Sequence, residues 1–318
     1  MIKNKYDFIF YNAGLIGLII ARKCAESGFS SLVLEKNKEF GLSTRCGNYL
    51  DLSSLKELNV NDKSKIVQAK VEKIIIFDEN NQEIKNLPKK FFVVNSRLLE
   101  RSLALKAASS RIDMNTLTKI IEIKENKHKI ERIRIKSLKQ RKDIRSKLII
   151  SKSPIGAENL ALSQSNINKI KTSQYEIFSP TYNPSNKILI CELDRFSGRV
   201  IIFPSTRKKF NAWMIGLENK ITLKDILKKY LKIESFSVLN IYHQVFFYNQ
   251  TKKGRYYKNL FLLRRNKDII NPFEHHNLIN EVRIGLYLAK YLKNIEIFDD
   301  NSITEINKYY NDYKPVLL

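Results

Sequence analysis

Near the start of the chain, Asn12-Ala13-Gly14-Leu15-Ile16-Gly17 sets two glycines three residues apart, between an apolar run and an apolar-periodic one. That spacing suits a turn that cradles a pyrophosphate. In the G-x-G-x-x-G pattern the first glycine makes the tight turn. The second lets the backbone approach the phosphates, and the third packs helix against strand. Gly14 and Gly17 fill the second and third places, and Asn12 stands at the first. Asn is among the few residues with a side chain that tolerate positive φ, so the turn is expected to form at some energetic cost. Further on, Glu35, followed by Lys36, closes a second apolar run. A carboxylate there can accept both ribose hydroxyls, which favours an unphosphorylated ribose, as in FAD or NAD, over NADP.

These residues need particular elements to hold them. The apolar run from Asp7 to Tyr11 reads as a short buried strand. A helix follows the turn through Ala25, and Gly28 stops it as a C′ residue does. Ser31 to Leu34 reads as a second buried strand ending at Glu35. The first 35 residues therefore spell the strand, turn, helix, strand and acid of a dinucleotide-binding unit. With Asn12 in place of a glycine, the same pattern also allows a Rossmann-like unit that binds nothing.

A chain of 318 residues, 43% of them hydrophobic, is long enough for two folded sub-domains. Fifty-seven Lys and Arg against 32 Asp and Glu give a formal charge of +25. The cations run along the whole chain amid abundant Ile and Asn, which reads as compositional drift, with a functional basic surface as the alternative. Cys24, Cys46 and Cys191 form no CxxC pair, so neither a zinc ribbon nor a disulfide framework is indicated, and a reducing cytoplasm is expected. No signal peptide is read at the N-terminus, and the most apolar stretch, Phe8 to Ile20, is too short to span a bilayer. A cytoplasmic protein is expected, soluble or peripheral at a membrane surface.

After Glu35, the segment to Gly41 and then Ser43-Thr44-Arg45-Cys46-Gly47 resembles the geranylgeranyl reductase family of flavoproteins, which carry an R-C-G or P-C-G motif at this place. The resemblance extends over nearly the whole chain. It takes in Arg97 at a helix start, Phe203-Pro204 before Met214-Ile215-Gly216-Leu217, Asn271-Pro272, and a helix from Leu278 to Leu292. It implies an α/β fold of the p-hydroxybenzoate hydroxylase type, in which a Rossmann-like FAD/NAD(P)-binding domain interleaves with a β-sheet substrate domain. Residues 1–47, 91–159 and 255–318 would form the first domain, and residues 48–90 and 160–254 the second. It further implies FAD as cofactor, an isoprenoid or lipid substrate whose C=C bonds are reduced, and a cofactor site that includes Arg45, Cys46, Gly47, Arg97, Arg265, Asn271 and Pro272. Cys46 would be the candidate active-site residue beside the flavin.

The chain also departs from that pattern. The family's Gly-Asp pair falls on Arg264-Arg265, and the glycines after Asn271-Pro272 fall on His275, His276 and Asn277. A side chain where a glycine faces the flavin occupies cofactor space. An Asp accepts hydrogen bonds from the ribityl chain and an Arg cannot, although Arg265 can pair with a pyrophosphate. The ADP-binding half therefore reads as kept and the flavin-facing half as rebuilt, with FAD weakly held or lost. Three readings stand: an FAD-dependent isoprenoid reductase, a non-catalytic descendant kept as a nucleotide-binding or scaffold protein, and a nicotinamide-dependent reductase.

Other clusters read more plainly. Glu274-His275-His276 suits a solvated helix N-terminus better than a metal site, so no metal is expected. Arg132, Arg134 and Lys136 alternate with Ile133 and Ile135, the pattern of a solvated hairpin, with anionic lipid headgroups as the alternative partner. Tyr309, Tyr310 and Tyr313 sit in no recognisable nucleic-acid module.

Overall fold

A computed structural model describes residues 2–42, 46–60, 63–138, 140–152, 168–183, 186–193, 198–217, 221–248, 258–263, 278–294, 304–306, 308 and 310. In chain order these form β1 (Lys5–Tyr11), α1 (Gly14–Glu26), β2 (Ser31–Leu34), β3 (Cys46–Leu50), α2 (Leu52–Leu58), α3 (Lys63–Ile66), β4 (Val67–Phe77) and β5 (Glu83–Asn95). Next come α4 (Ser96–Ser109), β6 (Asp113–Asn115), β7 (Lys119–Asn126), β8 (Lys129–Lys136), β9 (Arg141–Ser151), β10 (Asn168–Phe178) and β11 (Lys187–Leu193). The last are β12 (Gly198–Pro204), β13 (Lys209–Ile215), α5 (Leu223–Ile226), β14 (Ser237–Tyr248), β15 (Leu260–Leu262) and α6 (Leu278–Leu292). The chain divides into two compact units, one of Met1–Thr44, Glu100–Asn166 and Gln250–Leu318, the other of Arg45–Leu99 and Ile167–Asn249.

In the first unit, β6, β2, β1, β9 and β15 lie side by side, all parallel. A parallel strand covered on both faces needs a continuous apolar run, and Phe8, Ile9 and Phe10 of β1 are all fully buried. α1 packs beside Phe10, and α6 packs on α1. Gly285 of α6 allows that approach, since a Cβ there would stand 3.2 Å from Ile19. The opposite face is buried under an antiparallel meander of β7, β8 and the first half of β9, where Ile130, Ile133, Ile135 and Ile144 meet Ile9, Leu32, Leu34 and Ile149.

Strand β9 changes partner along its length. Arg141–Ile144 pair antiparallel with β8, and Ile149–Ser151 pair parallel with β15. Asn259 bridges the change. Its Oδ1 accepts the Ile130 N–H at 2.8 Å, its Nδ2 donates to the Ile130 carbonyl at 2.9 Å, and its own carbonyl accepts the Ile149 N–H at 2.9 Å. The side-chain amide thus acts as one more residue of strand, and it is 3% exposed. Asn259→Ala would leave the buried Ile130 donor and acceptor unpaired. It is expected to lower stability by about 2 kcal/mol in urea unfolding.

The second unit is an eight-stranded mixed sheet in the order β14-β10-β13-β12-β11-β4-β5-β3. Only the β11–β4 pairing is parallel; the others are antiparallel. One face is buried under α5 and its π-helical continuation to Leu231, where Ile226 and Leu227 pack on Leu189, Cys191, Val200, Phe210 and Ala212. A capping box starts α5, with Thr222 Oγ1 accepting the Asp225 N–H and the Asp225 carboxylate accepting the Thr222 N–H. Among the described residues, no helix is long and apolar enough to cross a membrane.

Candidate nucleotide site

The site is built at the carboxyl end of β1, where the chain turns into α1. Parallel sheets of this kind bind nucleotides outside the carboxyl ends of their strands, at the point where strand order reverses. Here β1 has β2 on one side and β9 on the other, so the reversal falls at β1.

Asn12 takes φ +47° and Gly14 takes φ +56°, so both positions of the turn lie in the left-handed region. The Asn12 N–H donates to the Leu34 carbonyl at 2.9 Å, as a glycine could, and its Oδ1 accepts the Lys36 N–H at 3.0 Å, as a glycine could not. The side chain ties the exit of β1 to the exit of β2, and so fixes the turn relative to Glu35. Gly14 is free of crowding, with no atom within 4 Å of where a Cβ would stand. Gly17 is the reverse case: a Cβ there would lie 2.3 Å from the Ala13 Cβ and 3.6 Å from the Phe10 ring. One glycine serves backbone conformation and open approach, and the other serves close packing of helix on strand.

Helix α1 begins with no capping side chain at Ala13 and no acidic residue in its first turn. Its first N–H groups are therefore left for another acceptor, and the helix dipole favours an anion there. Ala13, Leu15 and Ile16 are buried and hold the turn from behind.

Glu35 is 4% exposed. Its Oε1 accepts from the Asn37 N–H at 2.9 Å and from the Asn37 Nδ2 at 2.8 Å. The Lys36 N–H also lies close enough to favour the ionised carboxylate. The backbone around it is fixed as well: Glu35 N–H donates to the Asn115 carbonyl and the Glu35 carbonyl accepts from Thr118 N–H. Burial pushes the Glu35 carboxyl above the usual carboxylate range, partly offset by the Asn37 hydrogen bonds and the Lys36 charge. Lys36 itself is exposed.

The two consequences of that shift have opposite signs. With its folded pKa raised, Glu35 favours the free fold when protonated, and that contribution is lost as pH rises through the raised value. Ribose binding instead needs the ionised acceptor. Adenine-nucleotide affinity is therefore expected to fall as pH drops through a pKa above the ordinary carboxylate range. Glu35→Gln keeps an acceptor for Asn37 and loses the charge. It is expected to weaken ADP by about 1.5 kcal/mol with no loss of stability at neutral pH, read by calorimetric titration and by thermal melting.

The structure thus brings together Asn12, Ala13, Gly14, Leu15, Ile16, Gly17, Glu35 and Lys36. Cys46 and Gly47 lie in β3, where Cys46 is in register with Asn95 of β5. Arg97 is exposed in the first turn of α4, where the Asn95 Oδ1 accepts the Leu98 N–H. Arg45, Arg264, Arg265, Asn271, Pro272, Glu274, His275, His276 and Asn277 lie outside the described residues.

Two further residues hold the segment from Glu35 to Gly41 without a motif to announce them. Asn37 occupies Oε1 of Glu35, as described. Glu100 is 2% exposed on the buried face of α4, with Leu103, Ala104 and Ala107, and its Oε1 accepts the Gly41 N–H at 3.2 Å. An acid within an apolar helical stripe was the signal for Glu100. Asn37 gave no signal beyond its place in a loop.

No family model matches the chain. The digeranylgeranylglycerophospholipid reductase of Thermoplasma acidophilum is 20% identical to it, over 96% of this chain and 82% of the relative. Among solved structures, a geranylgeranyl bacteriochlorophyll reductase-like protein from the same organism matches with a TM-score of 0.75 at 19% identity, covering 96% of this chain and 83% of its own. The chain is similar, at low identity over nearly its whole length, to digeranylgeranylglycerophospholipid reductases. A flavin-dependent brominase has the same fold at 11% identity, with a TM-score of 0.69 over 96% of this chain and 84% of its own. At these identities the structural likeness is one of fold. It bears out the expected α/β class, a Rossmann-like unit and a β-rich unit threaded through one another along the chain. Measured against the G-x-G-x-x-G pattern, Asn12 is a substitution that keeps the turn and adds a hydrogen bond to it.

Proposed function

We propose that the protein is an FAD-dependent oxidoreductase of the geranylgeranyl reductase kind, reducing C=C bonds of an isoprenoid chain in lipid biosynthesis. The observation that carries this reading is the turn at Asn12–Gly17. It has two left-handed positions and a helix start without a capping side chain, and Asn12 ties it to the strand end that carries the buried carboxylate of Glu35. The similarity of nearly the whole chain to a digeranylgeranylglycerophospholipid reductase supplies the reaction class.

These residues fit the adenosine diphosphate half of FAD. The α1 N–H groups and Gly14 receive the pyrophosphate, Glu35 receives the ribose, and Asn12 holds the two at a fixed separation. The flavin, when bound, supplies hydride to the substrate double bond. Arg45, Cys46, Gly47, Arg97, Arg265, Asn271 and Pro272 are the residues proposed to complete the cofactor site, with Cys46 toward the reacting centre. The unit containing β1 and α1 is the proposed nucleotide domain, and the eight-stranded sheet the proposed substrate domain. Cys24 and Cys191 are both buried and free, which suits a reducing, cytoplasmic compartment.

The test is turnover under anaerobic conditions with chemically reduced FAD and a geranylgeranyl-bearing lipid, followed by mass spectrometry for the gain of two hydrogens per double bond. Saturation of the chain supports the reading. No product from protein that binds ADP at Glu35 would leave the nucleotide site standing and remove the reductase activity.

A further inference from the structure

The antiparallel meander of β7, β8 and β9 presents a second, separate surface. Its inward residues, Ile133, Ile135 and Ile144, are buried. On the outward side an open cleft of about 660 Å³ is lined by six cations, Lys5, Arg132, Arg134, Arg141, Lys142 and Arg145. Asp143 is the one carboxylate in that lining. It is shared between Arg132 at 2.7 Å and Arg134 at 2.8 Å, and Arg134 also pairs with Glu122 at 2.5 Å. Asp143 is thereby held below the usual carboxylate range by Arg134 and Arg132. The carboxylates present are spent on the two inner arginines. Lys5, Arg141 and Arg145 have no ion pair among the described residues, and Lys5 and Arg145 stand in register on β1 and β9.

The hairpin beside this cleft ends in an apolar residue. The Ser137 N–H donates to the Gln140 carbonyl at 2.9 Å and closes the turn between β8 and β9. Leu138 at its tip is 79% exposed, more than any other large hydrophobic side chain described. Lys136 and Arg141 are cross-strand partners immediately behind it. A solvated surface edge would account for the cations, and compositional drift for their number. Neither accounts for a leucine placed at the tip with a registered pair of cations one step back.

We propose that this hairpin and cleft form a docking surface for an anionic phospholipid bilayer, with Leu138 entering the acyl boundary and Lys5, Arg141 and Arg145 meeting the lipid phosphates. Cations near an anionic membrane attract its surface within about a Debye length, and an apolar tip adds a part of the binding that salt does not screen. Nucleic acid would use the cations but leave Leu138 in water, and the meander offers no exposed aromatic platform for bases.

The experiment is co-sedimentation of the full-length protein with vesicles of phosphatidylcholine alone or with phosphatidylglycerol. Because the whole chain is basic, the comparison is between matched charge reversals. Arg141→Glu with Arg145→Glu is expected to weaken binding to the anionic vesicles roughly 100-fold, and the same change at exposed Lys70 and Lys85 of the other sheet by much less. Leu138→Ser is expected to abolish the residual binding at high salt while sparing most of the low-salt binding. Melting curves check that each variant is folded. Should the double reversal unfold the protein, Leu138→Ser, which alters an exposed tip, decides the matter alone. Equal losses from both reversals, a Leu138→Ser protein that binds like the wild type at high salt, or tighter binding to single-stranded RNA than to anionic vesicles would each overturn the proposal.

Discussion

Gly17→Val is expected to lower the stability of the protein by about 3 kcal/mol and to remove measurable ADP binding, whereas Gly14→Asn is expected to leave the stability nearly unchanged and to weaken ADP alone. The two positions belong to one motif and fail in different ways. At Gly17 the new Cβ would overlap the Ala13 Cβ at 2.3 Å, and Ala13 sits 2% exposed with nowhere to move. Relief requires the start of α1 to lift from Phe10, which carries the N–H groups away from the exit of β1. Overpacking of this kind typically costs about 1–3 kcal/mol, and a β-branched residue in a helix adds to it. At Gly14 no atom of the protein stands within 4 Å of a Cβ, so folding is constrained there by the φ of +56° alone, and a side chain would fill only the space left for the pyrophosphate. Asn accepts that conformation, as Asn12 does two residues earlier, while a β-branched residue does not. Urea unfolding and ADP titration of Gly17→Val, Gly14→Asn and Gly14→Val separate the two roles. A Gly17→Val protein with wild-type stability and ADP affinity would show that the helix start can shift freely, and the packing argument would fail.

The parts of this fold that were legible in the sequence are those written in local periodicity. The buried run of β1, the glycine turn, the helix to Glu26 and the Gly28 stop lie in a stretch where each residue's role is set by neighbours a few positions away. So is the hairpin of β7 and β8, whose alternation of Ile with Arg and Lys is carried by adjacent residues. What was not legible depends on distant partners. Strand β6 has three residues, too few for a pattern, and exists because Asp113–Asn115 meet Leu32–Leu34. The junction at Asn259 is a single polar residue whose meaning appears only when Ile130 and Ile149 lie beside it. The site divides the same way. Asn12 was read as a tolerated substitution at some energetic cost. Its Oδ1 on the Lys36 N–H makes it a tie between two strand ends, which no spacing could announce. Asn37 acts on a carboxylate from within a loop, whose sequence carries no period to betray it, and Glu100 shows only as an acid in an apolar helical stripe until folding brings the Gly41 N–H to it.

FAD is expected to bind no more than about tenfold more tightly than ADP, so that the purified protein is pale or colourless while still taking up ADP. In the proposed site the adenosine half rests on groups that are in place: the uncapped start of α1, the open approach at Gly14, and the buried carboxylate of Glu35. The flavin half rests on positions where this sequence has changed chemical type. Arg264-Arg265 stands where the geranylgeranyl reductase pattern has a glycine and an acceptor, and His275, His276 and Asn277 stand where it has glycines. An arginine has five donors and no acceptor, so the ribityl hydroxyls lose a partner for their protons. A side chain at a glycine that faces the ring competes for the ring's own volume. Loss of the acceptor and of the glycines acts on the isoalloxazine and ribityl parts, and an arginine paired with the pyrophosphate serves ADP and FAD alike, so these changes reduce the gain from extending ADP to FAD. Hydride transfer needs the ring held close to the substrate, and a ring held loosely also predicts slow turnover even with FAD in excess. The measurement is a visible spectrum of the freshly purified protein, followed by separate titrations with FAD and ADP. Returning glycines at 275, 276 and 277 should then tighten FAD and leave ADP unchanged. A stoichiometrically yellow protein that binds FAD orders of magnitude more tightly than ADP would show that these side chains lie clear of the ring. The substitutions at Arg264 to Asn277 would then have to be explained by something other than loss of the flavin's hold.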